Sequence, residues 1–107
     1  MAVKPLLNVP REVKAGVPFE VRILIQHVME TGFRRDAVGN VVPRDIIHSF
    51  FCTVDGEEVF SATLQPAISA NPYLAFSAKL VRSGTMELRW VDDQGVEARE
   101  RVDIRVA

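Results

Sequence analysis

Cysteine is nearly absent: Cys52 is the only one in 107 residues. No disulfide can form within the chain, which must hold together by burial and strand pairing. Excess charge of one sign is also missing. Thirteen basic residues stand against 14 acidic ones, a formal net charge of −1. That balance offers no surplus of cations to neutralise phosphates and argues against a nucleic-acid partner. No apolar run approaches the ~18 residues of a transmembrane helix, so no membrane association is expected. The opening MAVKPLLNV lacks both the apolar stretch and the small-residue cleavage pattern of an export signal. The six glycines are dispersed among turns and form no phosphate-cradling loop. Internal repeats, low-complexity tracts and sustained helical periodicity are absent too. What is present is 48% hydrophobic residues, enough to fill one core at this length. We therefore expect a single domain over residues 1–107.

Alternation with a period of two dominates. Residues 18–28 (PFEVRILIQHV) put Phe19, Val21, Ile23 and Ile25 on one face and Glu20, Arg22 and Gln26 on the other, with only Leu24 out of pattern. Residues 96–106 (VEARERVDIRV) place Val96, Ala98, Val102, Ile104 and Val106 inward beneath a charged outer row, with Glu100 the one inward polar residue. Residues 46–54 (IIHSFFCTV) and 57–64 (EEVFSATL) flank Asp55-Gly56, a pair suited to a tight hairpin turn. Asn71-Pro72 opens residues 73–81 (YLAFSAKLV), Ser83-Gly84 turns the chain, and residues 85–91 (TMELRWV) run to the turn Asp92-Asp93-Gln94-Gly95. With a short strand near residues 6–9, about seven strands predict an all-β, immunoglobulin-like, two-sheet antiparallel β-sandwich. The Cys…Trp…Cys signature of true immunoglobulin domains is missing.

The fourth segment departs from simple amphipathicity. Ile46, His48, Phe50, Cys52 and Val54 share one face, yet Ile47 and Phe51 make the other face apolar as well. Either the preceding loop covers them or they form a partner surface.

Tests for chemistry come back weak. Cys52 and His48, four residues apart on one strand, stand roughly 13 Å apart at ~3.3 Å per residue, too far for a thiol–imidazole dyad. A free cysteine on an apolar face is ordinarily a small core residue. His27-Val28-Met29, with His48 or Met86, offers imidazole and thioether donors of the kind reduced copper favours. A periplasmic copper-binding sandwich is thus the alternative reading, set against Met29 as packing and His27 as a polar cap. Glu57-Glu58 and Asp92-Asp93 lie at turns, where acidic residues serve turn geometry, and adjacent strand residues point apart. Ser83 lacks the strand-to-helix setting of a nucleophile elbow. We expect no catalytic residue, no metal and no cofactor.

The long excursion of residues 26–45 (QHVMETGFRRDAVGNVVPRD) remains. Loops beyond ~12–15 residues are uncommon in compact domains and tend to be functional or to hide a hairpin. Residues 37–42 (AVGNVV) predict such a hairpin, turning at Gly39-Asn40, with residues 29–36 as a recognition edge.

The segments IQHVMETGFRRD (25–36), VPRDIIHSFFCTVDGEEVF (42–60), ANPYLAFSAKLVRSGT (70–85) and WVDDQG (90–95) closely resemble the SoxZ family of bacterial thiosulfate oxidation. The resemblance implies a β-sandwich subunit that forms a heterodimer with SoxY, whose C-terminal cysteine carries covalent sulfur intermediates among the other Sox enzymes. It also implies a periplasmic location, reached by export with a signal-bearing SoxY, and no catalytic role. This sequence closes on Ile104-Arg105-Val106-Ala107, without the glycine-rich cysteine arm expected of the carrier. Combined with side-chain direction, the resemblance makes Ile47, Phe51, Phe33 and Met29 the candidates for the SoxY contact. Arg34, Arg35 and Asp36 are the candidates for steering or docking partners.

Overall fold

The structure is a computed structural model that describes residues 5–64 and 72–107. Asn71, expected to open a strand with Pro72, lies outside them, as does Ala70 of the third resembling block. Among the described residues eight strands follow in order: β1 (Leu6–Asn8), β2 (Glu12–Val13), β3 (Phe19–Leu24), β4 (Ile47–Val54), β5 (Glu57–Thr63), β6 (Tyr73–Ala78), β7 (Gly84–Asp92) and β8 (Glu97–Val106). They form a three-stranded sheet, β1-β3-β6, and a five-stranded sheet, β2-β8-β7-β4-β5. Every neighbouring pair is antiparallel except β2 with β8. The expected all-β, immunoglobulin-like sandwich is therefore present, with two-residue β2 as the strand not anticipated. No helix among the described residues is long and apolar enough to cross a membrane.

The core follows the alternation. Val21 and Ile23 of β3 share one buried cluster with Leu88, Met86 and Ile104 of the larger sheet, all essentially buried. Phe50 sits at the centre, with Trp90, Phe60 and Phe76 rings 6.1–6.4 Å from its own. Phe60 of β5 stacks on Phe76 of β6 at 4.2 Å, which ties the two sheets together along one side. The Asp55-Gly56 hairpin is as expected: both residues take positive φ, 50° and 85°. The Asp55 carboxylate also accepts the Thr85 N–H at 3.0 Å.

Three expectations need correction. Strand β3 ends at Leu24 rather than running on to Val28. Val96 lies in the β7–β8 turn and is exposed rather than inward. Ile47, expected on the outer face, is 1% exposed and belongs to the core. The cause is a register shift between Ile47 and Ser49 against β7: an extra residue, His48, switches which parity points inward. Ile46 and Ile47 are therefore both buried, while Phe50, Cys52 and Val54 point inward beyond the bulge.

Candidate functional site

The excursion between β3 and β4 is a hairpin arm, whose two sides are joined by isolated bridges, Glu30 with Asp45 and Arg35 with Val41. Glu30 and Asp45 exchange both N–H···O bonds (2.8 and 2.9 Å), Val42 N–H donates to Arg34 O, and Asp36 N–H donates to Asn40 O. The tip turns where Gly39 takes a φ of 88°, while Asp36 Oδ1 accepts the N–H groups of Val38 and Asn40, both at 3.0 Å. The hidden hairpin is thus present, centred one or two residues earlier than Gly39-Asn40. Residues 33–41 are all exposed, so the arm stands off the sandwich. The molecule is elongated, 59 Å on its longest axis with a radius of gyration of 16.1 Å, against about 13 Å for a compact domain of this size.

The arm's charged residues are largely occupied within the chain. Arg34 makes a bidentate approach to Glu30 (2.6 and 3.0 Å), and that bond, with the charge behind it, raises the Arg34 pKa and lowers that of Glu30. Arg35 Nη1 donates to Gly39 O at 2.9 Å. Asp36 is the tip's turn acceptor. Phe33, by contrast, is 82% exposed and Val38 80%, with Val41 and Val28 also open.

The root is built from residues far apart in sequence. Arg44 Nε and Nη2 grip the two oxygens of Asp93 at 2.7 and 2.9 Å, and Asp93 Oδ2 also accepts the Ile46 N–H at 3.1 Å. The Asp93 N–H returns to Ile46 O at 2.9 Å. Burial opposes the charge on Asp93, but the Arg44 hydrogen bond, the Ile46 amide and the Arg44 charge outweigh it, and the carboxyl is held below its ordinary range. Gln94 Nε2 reaches Asp45 Oδ2 at 3.1 Å. Asp92 Oδ1 closes its own turn on the N–H groups of Gln94 and Val96, and its Oδ2 lies 3.4 Å from His27 Nε2. The two acids of the β7–β8 turn thus converge on the arm's root, a role turn geometry alone does not predict.

Met29 is the peg of this root. It is 4% exposed, holds a φ of 50° that is unusual for a residue with a side chain, and its sulfur accepts the Ile47 N–H at 3.3 Å. Met29 and Ile47 were expected at a partner surface, but both are turned into the core. Of the candidates, Phe33, Arg34, Arg35 and Asp36 share the arm, while Phe51 lies apart, on the outer face of the large sheet. There Arg89 covers its ring, with Cζ 4.3 Å from the centroid.

A metal reading fits poorly. His27, Asp45 and Asp92 place one ligand atom each within 4.8 Å of one another. However, His27 Nδ1 accepts the Met29 N–H at 2.9 Å, so the ring hydrogen belongs on Nε2, which faces the carboxylates as a donor. A neutral imidazole ligates through its unprotonated nitrogen, which Met29 already holds. Of the copper donors, the Met29 sulfur is engaged by the Ile47 N–H and Met86 is fully buried. Cys52 is fully buried, and burial pushes its thiol up to about 12. It stays protonated and poorly nucleophilic.

Residues 7–103 match the family described as Sulphur oxidation protein SoxZ. The chain belongs to the SoxZ family. Membership gives it a role in the Sox sulfur-oxidation system and implies association with SoxY. No curated protein matches the sequence closely. In fold, this SoxZ-family chain is similar to the superoxide reductase (neelaredoxin) of Ignicoccus hospitalis, at a TM-score of 0.69 and 20% identity, covering 98% of this chain and 81% of that one. A variant of the same protein gives 0.72 and 21%, covering 96% and 79%. At such identities the likeness establishes the sandwich alone. Residues 27–36, 42–47 and 92–94 of the SoxZ-like segments, scattered along the sequence, meet at the arm and its root.

Proposed function

We propose that this chain is the non-catalytic Z subunit of a periplasmic SoxYZ sulfur-carrier complex. It binds and stabilises SoxY, whose C-terminal cysteine carries the sulfur intermediates, and it contributes docking surface for other Sox enzymes. The observation that carries this reading is the division of labour on the arm. Its charges are largely satisfied within the chain while Phe33, Val38 and Val41 stay open to solvent. A display of apolar side chains on a held hairpin suits a protein partner. Phe51, half covered by Arg89, is the second proposed contact. Arg34, Arg35 and Asp36 form a charged rim, which affects encounter and specificity more than affinity. Met29 and Ile47 act indirectly by fixing the arm's pose. Family membership supports export alongside SoxY, and Cys52, sealed in the core, is unsuited to carry sulfur.

Co-expression with SoxY tests this. The two chains are expected to co-purify, and Phe33→Asp and Phe51→Asp are expected to weaken the complex without lowering the thermal midpoint of the isolated subunit. Absence of a complex with the unsubstituted chain refutes the function. A complex indifferent to both substitutions refutes the surfaces.

A further inference from the structure

The two sheets have four outer edges, and three are protected. β1 has three residues and β2 only two, too short to template another chain. β5 opens on Glu57 and Glu58 and carries a bulge: Phe60 pairs with Cys52 and Glu58 with Thr53, leaving Val59 over. Charge and bulge are both devices that discourage strand addition. β6 has neither. Its six residues, Tyr73–Ala78 (YLAFSA), contain no charge and no proline, and they pair with β3 in unbroken register. Among the described residues no strand pairs with its other side.

The groups that β6 leaves open can be named. Ile25 N–H donates to Pro72 O at 2.9 Å, which makes Ile25 and Pro72 a directly bonded pair. In an antiparallel ladder, bonded pairs alternate with unbonded ones. Leu74, Phe76 and Ala78 therefore turn their backbone groups toward β3. Tyr73, Ala75 and Ser77 turn theirs away, and all three are exposed, Tyr73 at 57%.

We propose that this edge pairs with β6 of a second copy of the chain, antiparallel about a two-fold axis through Ala75. The register follows from the open groups. Setting Ala75 opposite Ala75, with Tyr73 opposite Ser77 of the other copy, lets every outward N–H and C=O of the three residues bond. A shift by two residues in either direction sets one of the three opposite a residue outside β6. The side chains agree with the backbone: on the outer face a large residue meets a small one, the smallest sits on the axis, Leu74 meets Phe76 on the inner face, and no like charges are opposed. The result joins two three-stranded sheets into one of six and removes both open edges, a closed, self-complementary association. It goes beyond the binding of SoxY and does not depend on it.

Sedimentation of the purified chain, with amide exchange on the same samples, tests the proposal. A concentration-dependent dimer is expected, in which the Tyr73, Ala75 and Ser77 amides slow as the dimer fills. Ala75→Lys places like charges on the axis and should abolish the dimer at low salt, with recovery at high salt. A mixture of Ala75→Lys and Ala75→Glu should form the mixed dimer. Ala75→Pro removes an outward N–H while leaving the β3 ladder whole. Losing that bond from both copies should weaken the dimer about tenfold or more with an unchanged thermal midpoint of the monomer. A chain that stays monomeric at all concentrations overturns the proposal. So does protection of these amides only when SoxY is added, and so does a dimer that both Ala75→Lys and Ala75→Pro leave intact.

Discussion

Asp93 anchors the arm, and two substitutions separate what its carboxylate does. Asp93→Asn keeps an oxygen to accept the Ile46 N–H but gives up the ion pair with Arg44. That guanidinium is half exposed, so the pair contributes only about 0–1 kcal/mol. Asp93→Ala also strands the part-buried Ile46 N–H, and an unmet donor of that kind costs about 1–3 kcal/mol. For a domain of this size each kcal/mol moves the thermal midpoint by about 4–8 °C. Asp93→Ala, which loses both, should therefore lower it by roughly 4–30 °C, and Asp93→Asn by less than about 8 °C. Thermal unfolding followed by circular dichroism reads both.

The pH dependence has a fixed sign. The folded carboxyl is held below its ordinary value of 3.8, so its contribution is fully present above that value and is lost as pH falls through the folded one. The gap between the unsubstituted chain and Asp93→Asn should be constant from neutral pH to about pH 5 and close below about pH 4. If the two variants lose equal stability, the charge and not the amide cap holds the root. If Asp93→Ala is neutral, the root is held elsewhere and the reasoning fails.

Gly32 has a φ of 88°, and a Cβ built on it would lie 3.1 Å from that of Arg44; Gly32→Ala should destabilise the arm by about 1–2 kcal/mol, seen as faster exchange of the Glu30 and Asp45 amides. Unchanged exchange would show that the arm tolerates another path. Cys52 should resist alkylation in the native protein at pH 8 and react on unfolding, because its thiol is buried and its pKa is pushed up to about 12. Rapid native labelling would contradict that burial.

The sheets were legible because a period of two is imposed by the backbone itself, and Val21, Ile23, Phe50, Cys52, Val102 and Ile104 all point inward as alternation requires. Ile47 was not legible. A bulge adds one residue without any compositional mark, and His48 looks no different from a paired residue until its partner strand is known. The arm's hairpin showed in its turn residues, but its attachment did not. Arg44 and Asp93 are separated by 49 positions, and no local pattern links a cation before one strand to an acid after another. Arg34, Arg35 and Asp36 looked like docking charges because an exposed, charged loop suggests them. What the sequence conceals is that Glu30, Gly39 O and the tip amides already engage them.

That concealment bears on why the arm is built as it is. A lone two-stranded hairpin is marginally stable in water, so an arm intended to present Phe33 and Val38 needs its pose fixed from below. The Glu30–Asp45 ladder, the Met29 peg in the core and the Arg44–Asp93 clamp do this. Holding the apolar groups in place before a partner arrives removes an ordering cost from the binding step. Binding should then be sensitive to the root, although no root residue need touch SoxY. If a variant lets the arm hold its bound pose only a tenth of the time, the apparent Kd rises about tenfold with the intrinsic contact unchanged. Asp93→Ala and Phe33→Asp are thus expected to weaken the complex by different routes. The first should raise arm amide exchange in the free subunit, while the second should leave it as it was. A root variant that frees the arm yet binds SoxY at full strength would show that the arm is not where SoxY binds.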